Sequence, residues 1–388
     1  LTGGTTSTGG KRIVGDYDVA YNSGLSNGLG YGFADNASSV NELTVGKLSL
    51  SGSITAGGNT YGSGVTAGSV VFSNSITGDS VTGDAVTVNT SGLLSTSSNL
   101  RAGTHTGIQS VGAGLAGADA GNYSFAGTTA NYKVDQLALN GVIGSSSNVY
   151  GSGLVDGGVT YSNLVVSDLL IAPIIAITTV GNTSLSGNLN AGSYTGIQSV
   201  STLNGTDAEN YSIGNFSGGD YDVSQLALTG SITTGTTAYG DALIAGTASF
   251  TNKVGVDNLG TATVVVNTSG NTSSSGNLIA GIHSGVESVS ALSGSDADNY
   301  TFSTVKGDYI VNQADLTVAG VIALDKIYDG TNTAQINTSI ASLNGAITGD
   351  LVSIGNMTGS FQDKNVGINK IVDGSDVVLS GSDGGNYN

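Results

Sequence analysis

The chain has 388 residues, with 63 glycines, one proline, no cysteine and no tryptophan; 38% of residues are apolar, 10% are charged, and the net charge is −18. Glycine without a three-residue period excludes a collagen helix, the apolar content is too high for a disordered polyelectrolyte, and the lack of cysteine removes disulfides and thiolate metal sites. Ten scattered Lys and Arg against 28 Asp and Glu disfavour nucleic acid and anionic membrane surfaces as partners and favour cations.

Ser, Thr, Asn, Gly and Val dominate, a composition of strands and turns rather than helices. Tyr17-Asp-Val19 reads as a strand. The Gly- and Tyr-rich stretch 20–47 follows, and is expected to be an extra β element: a hairpin, a swapped strand or a binding loop. From Leu48 onward the chain repeats. Tyrosines followed by Gly or Asp stand at Tyr61, Tyr150, Tyr239 and Tyr328, each 89 residues apart. A period of this kind marks tandem copies of one folding unit. Central strands recur at Val86-Thr-Val88, Ile175-Ala-Ile177 and Val264-Val-Val266. TGIQSV at 106–111 and 195–200 corresponds to SGVESV at 284–289, and Asn-Tyr pairs end at Tyr123, Tyr211, Tyr300 and Tyr387. Each unit closes on a Tyr-x-Val strand, at Tyr132, Tyr221 and Tyr309, with Tyr17 taken as an earlier copy. The next unit opens at Leu137-Ala-Leu139, Leu226-Ala-Leu228 or Leu316-Thr-Val318.

The expected architecture is all-β: small β domains in tandem, sandwich or β-grasp-like, arranged as an elongated rod. The spans are 1–47 for a partial leading repeat with its insertion, 48–136, 137–225 and 226–313 for full repeats, and 314–388 for a truncated one. Between Val134 and Leu137 the apolar phase shifts by one, so the following strand is expected to serve a core lying elsewhere. The connector, two residues or four at the last junction, is too short for a free hinge. The most apolar run, Leu169–Ile177, is too short to span a bilayer and contains Pro173. The chain reads as a piece of a longer protein.

Candidate sites are few. His105 and His283 sit two residues before Gly107 and Gly285, where other units have Tyr194 and Asn365. A general base is not exchanged in this way, so no catalytic residue is expected. Tyr61, Tyr150, Tyr239, Tyr328, Tyr123, Tyr211, Tyr300 and Tyr387 are expected to be structural anchors, with aromatic bodies buried and hydroxyls tying down turns. Tyr21, Tyr31 and Phe33 in the insertion are candidates for stacking on a ligand. Asp119, Asp207, Asp296 and Asp383 stand four residues before a tyrosine; with Asp298 they suit turns, and alternatively a calcium site. Asn89, Asn122 and Asn267 begin sequons, and Lys326 and Lys364 are the lysines placed for an isopeptide bond.

The last unit reads DKIYDGTNTAQ at 325–335, Asp363-Lys-Asn-Val-Gly367, and Asn386-Tyr387. It resembles the YDG-type repeat of large bacterial surface exoproteins. The units with TYGSG, VYGSG and AYGDA resemble the related MBG repeats of YGX type. The resemblance implies an extracellular stalk of filamentous-haemagglutinin-like adhesins, often exported by two-partner secretion. It implies partners that are other copies, forming fibres, or other surface and matrix components. No catalytic residue or cofactor comes with it. A carbohydrate- or matrix-binding module using 20–47 is the alternative reading.

Overall fold

A computed structural model of the chain describes residues 4–19 and 39–388. The fold is all-β, as expected. Among the described residues the regular structure is strand, apart from four single 3-10 turns at Ala120–Asn122, Ala208–Asn210, Ala297–Asn299 and Gly384–Asn386. Each turn leads directly into the tyrosine of an Asn-Tyr pair. Among the described residues no helix is long and apolar enough to cross a membrane.

The sheets mix parallel and antiparallel pairs. The strand after each 3-10 turn lies parallel to the strand that opens its repeat, with Leu48 opposite Tyr123, Leu137 opposite Tyr211 and Leu226 opposite Tyr300. In the first repeat, Gly57–Thr60 lies parallel to Thr128–Asp135, which pairs antiparallel with Gly103–Val111, itself paired with Thr87–Val88. The third repeat has the same order in Gly235–Ala238, Lys306–Asn312, Gly281–Leu292 and Ala262–Val266. Parallel neighbours need a crossover rather than a hairpin, which is why each repeat needs most of its 89 residues to close its sheets.

Register corrects the reading of the leading segment. Gly15–Val19 pairs antiparallel with Ser39–Val45, placing Gly15 opposite Val45 and Tyr17 opposite Leu43. In the first repeat Gly103 faces Val134 and His105 faces Tyr132. Tyr17 therefore holds the place of His105, and Leu43-Thr-Val45 is the closing strand that was assigned to Tyr17. The hydrogen bonds agree: the Tyr17 hydroxyl donates to the carbonyl of Ile13, as the His105 ring bonds that of Arg101. Residue type misled here, because a tyrosine is acceptable on either strand. The connector to Leu48 is Gly46-Lys47, two residues as before Leu137 and Leu226. The remainder of the expected insertion, 20–38, lies outside the described residues.

Contacts divide the chain into two compact units. One comprises Leu1–Ser146, Asp156–Thr178 and Thr195–Asp220; the other comprises Ser147–Val155, Thr179–Tyr194 and Tyr221–Asn388. Residues 137–225 contribute to both. The first unit has a core of Leu50, Val111, Tyr123 and Phe125, and another of Tyr61, Leu100, Tyr132, Val134, Leu139 and Tyr211. The second unit buries Tyr239, Leu278, Tyr309, Val311 and Tyr387 together. The phase shift is present: Val134 and Leu139 are buried while Asp135 and Gln136 between them are exposed. Yet Val134 and Leu139 meet in one cluster. The core expected to lie elsewhere is shared across the repeat boundary. Each large side chain buried there stabilises by about 2–3 kcal/mol.

Candidate functional site

The shared cores contain a recurring polar latch. In the first unit, Tyr61 leaves the strand Gly57–Thr60, its backbone N–H held by the carbonyl of Asp135 at 2.8 Å. Its hydroxyl donates to Oδ2 of Asp168 at 2.6 Å and contacts the Ser95 hydroxyl at 2.7 Å. The Tyr211 hydroxyl donates to the same Oδ2 and accepts from the Val165 N–H at 3.1 Å. The two rings stand edge to face, 5.3 Å apart at 75°. The second unit repeats this twice. Tyr150 and Tyr300 converge on Oδ2 of Asp257 with rings 5.3 Å apart at 75°. Tyr239 and Tyr387 converge on Oδ2 of Asp350 with rings 5.3 Å apart at 82°. A phenol donating to a carboxylate makes a charge-assisted bond, and the edge-to-face pair adds its own attraction.

The electrostatics keep the latches at Asp257 and Asp350 in one protonation state. Burial, reinforced by the hydrogen bond to Asp257, pushes the Tyr150 phenol up to about 12. Burial pushes Tyr61 and Tyr239 up as well, again with the carboxylate adding to the shift. Burial opposes ionisation of Asp257 and Asp350. The hydroxyls around them outweigh it, Ser186, Tyr150 and Tyr300 at Asp257 and Ser275, Tyr239 and Tyr387 at Asp350, and hold both below the usual carboxylate range. Neutral phenols thus face charged carboxylates at neutral pH.

The glycine after each tyrosine has a double role. Gly62, Gly151 and Gly240 have φ of +81°, +82° and +89°, where only glycine is at ease. A Cβ there would also collide with Val165, Val254 or Ile347, the residue whose N–H bonds the second tyrosine.

A second set of contacts uses the 3-10 turns. Asp119 accepts from the N–H groups of Thr8 and Ser80 at 3.1 and 2.8 Å. Asp207 accepts from Thr96 and Leu169 at 3.3 and 2.9 Å. Asp296 accepts from Leu185 and Asn258 at 3.3 and 2.8 Å, and Asp383 from Ser274 and Leu351 at 3.3 and 2.7 Å. The turn asparagines act likewise: Asn122 accepts from Val14, Asn210 from Ala102, Asn299 from Ala191 and Asn386 from Ala280, at 2.7 to 2.9 Å. The calcium reading of Asp119, Asp207, Asp296 and Asp383 is corrected accordingly, because both oxygens of each already receive protein N–H donors. Asp298 is exposed, and among the described residues no group of three His, Cys, Asp or Glu could hold a metal.

Seven of the eight expected anchors are buried: Tyr61, Tyr123, Tyr150, Tyr211, Tyr239, Tyr300 and Tyr387. Tyr328 is not. It is 62% exposed, and the reading of it as an anchor is corrected. No Asp-and-tyrosine pair among the described residues covers it, and its neighbour Asp329 pairs instead with Lys326 at 2.8 Å. Tyr21, Tyr31 and Phe33 lie outside the described residues. His105 and His283 each hydrogen-bond the carbonyl four residues back at 2.8 Å, as the Tyr194 hydroxyl does with Asn190. Sequence reasoning missed Asp79, Asp168, Asp257 and Asp350. The signal was there: SNSITGD, SNLVVSD, TNKVGVD and NGAITGD end on them, and the first three recur every 89 residues.

No curated protein and no solved structure matches the chain. Residues 312–388, which hold Tyr328-Asp-Gly330 and the last Asn-Tyr turn, match the family model of the YDG domain.

Proposed function

We propose that the chain is a structural stalk or fibre-forming segment of an extracellular bacterial adhesin or matrix protein, without enzymatic activity. The observation that carries this reading is the latch. Its phenols are spent on carboxylates inside a core shared by adjoining sequence repeats rather than presented to a ligand. Pulling such repeats apart breaks the one phenol–carboxylate hydrogen bond that crosses the boundary, the ring pair and the turn contacts together. The connector glutamines add to this, with Gln136, Gln225 and Gln313 donating to the carbonyls of Glu209, Asp298 and Gly385 at 2.8 to 3.0 Å. Resistance to tension is the property such an arrangement favours. Export by a two-partner route and a place at the cell surface belong to the same proposal.

Single-molecule pulling tests it. The expected trace shows discrete force peaks, with extension steps near the length of one 89-residue repeat, roughly 300 Å when fully extended. A chain that lengthens without force peaks is incompatible with a stalk.

A further inference from the structure

The strand Ile171–Ile177 departs from its counterparts 89 residues earlier and later. Leu169, Ile171 and Ile174 stand where the first repeat has Ser80, Thr82 and Ala85 and the third has Asn258, Gly260 and Thr263. All three are exposed, at 57%, 66% and 55%. The repeat does not need them for its core. At the inward positions Ile175 and Ile177 match Val86 and Val88 of the first repeat and Val264 and Val266 of the third, every one of them half-buried. The other two repeats build the same unit with small or polar residues on the outside. An apolar cluster kept in water in one repeat alone marks a surface that is covered by something else.

The strand is also an open edge. Among the described residues it pairs with Gln198–Asn204 alone. The Thr178 N–H donates to the Ile197 carbonyl at 2.9 Å, and the carbonyls of Ile174 and Ala172 accept from the side chains of Ser201 and Asn204 at 3.0 and 3.2 Å. Even-numbered residues therefore turn their backbone groups to that neighbour. The alternation of an antiparallel ladder turns those of Ile175 and Ile177 the other way, where no strand of the described residues meets them. Protected edges are short or carry a charge. The first repeat has both devices: its counterpart is the two-residue strand Thr87–Val88, preceded by the exposed Asp84. The third repeat has five residues, Ala262–Val266. Here the strand has seven, Pro173 replaces Asp84, and no residue from 169 to 181 is charged.

We propose that Ile171–Ile177 docks against the same strand of a second copy of this chain, the two running antiparallel about a two-fold axis. The backbone selects this occupant, because an edge strand is complementary to itself in that arrangement: donors and acceptors at Ile175 and Ile177 meet their equals. Charge selects the place. Two chains of net charge −18 repel one another, and along 169–181 they meet with no like charges in contact. A lipid surface does not suit the edge, since open backbone groups find no hydrogen-bond partner in hydrocarbon. Pairing brings Leu169, Ile171 and Ile174 of the two copies side by side, out of water. The contact is isologous and closes as a dimer. Joining two segments laterally goes beyond the stalk reading and does not rest on it.

Sedimentation velocity of the full chain from about 1 μM to about 1 mM, with amide hydrogen exchange on the same samples, tests this. The wild type is expected to rise to twice the monomer mass and stop there. Its Ile175 and Ile177 amides are expected to exchange more slowly as the dimer forms. The double variant Ile171→Thr/Ile174→Thr introduces the residue found at Thr82 and Thr263 of the neighbouring repeats. It is expected to fold normally, which circular dichroism checks, and to weaken association at least about tenfold. Ile174→Lys places two like charges side by side in the dimer and is expected to weaken it most at low salt. Several outcomes overturn the proposal: a wild type that stays monomeric to about 1 mM, association unchanged in the double variant, a dimer without slower exchange at Ile175 and Ile177, or a mass that passes beyond the dimer. Slower exchange of those amides in the monomer on adding neutral phosphatidylcholine vesicles assigns the strand to lipid and also overturns it. Pulling on single molecules reads one chain at a time, so failure here and failure of the stalk reading are separately visible.

Discussion

Tyr61 and Tyr211 donate to one and the same oxygen, Oδ2 of Asp168, from positions on opposite sides of the boundary between two sequence repeats. The carboxylate is supplied by the second repeat, and so is one phenol; the other phenol reaches in from the first. The same triangle recurs at Asp257 and Asp350. Stability of a boundary is therefore coupled to a few named atoms.

Removing a single latch hydroxyl is expected to be costly. Tyr150→Phe and Tyr300→Phe each delete a bond to the Asp257 carboxylate in a buried site, and each is expected to destabilise by about 1.5–3 kcal/mol. Urea unfolding of the variants measures this. Tyr328→Phe, which loses no bond among the described residues, is expected to leave stability unchanged.

Gly151→Ala is expected to cost more than Gly330→Ala. Both residues have positive φ, at +82° and +78°, so backbone strain of about 1 kcal/mol is common to them. Only at Gly151 does the new methyl also collide with Val254. The difference between the two midpoints in urea isolates the collision.

The latches are expected to fail at both extremes of pH. Asp257 and Asp350 have folded values below their unfolded ones. Their contribution is present above the unfolded value of about 4 and is lost as pH falls through the folded value. Tyr150 is raised to about 12. Its contribution is complete below the unfolded value of about 10 and is lost as pH rises from there to 12. Thermal midpoints measured from pH 2 to 12 are expected to form a plateau falling at both ends.

Glu287 is fully buried where the other repeats carry Gln109 and Gln198. It accepts from the N–H groups of Gly235 and Gly246 at 3.3 and 2.6 Å. The glutamines do the accepting and also donate, Gln109 to the carbonyl of Asn131 at 2.7 Å and Gln198 to that of Asp220 at 3.1 Å. Glu287→Gln restores the donor and removes a buried charge. It is expected to raise stability at pH 7 by about 1 kcal/mol, readable as a higher Tm; Gln109→Glu is expected to lower it.

Much of this was legible in the sequence, through particular residues. The tyrosine spacing set the period, and alternation at Tyr132-Lys-Val134 set the strand and its buried face. Glycine after tyrosine announced the positive φ. The carboxylates at the centre of the latch were not read, because Asp168 lies 107 positions from Tyr61 and a lone aspartate ending a loop carries no chemical spacing of its own. Tyr17 was placed on the wrong strand, since register depends on which glycine faces which valine rather than on the aromatic. Tyr328 shares the spacing of the buried tyrosines, but burial of those three depends on an aspartate 107 or 111 positions further on, which the motif itself does not show.

The central claim is that adjoining repeats are held together by a tyrosine–carboxylate latch. A double-mutant cycle between Tyr61→Phe and Asp168→Asn, read by urea unfolding, tests it most directly. The two residues belong to different repeats and touch at 2.6 Å. The latch predicts a coupling energy of about 1–3 kcal/mol. Strictly additive effects, with coupling below about 0.5 kcal/mol, would contradict it.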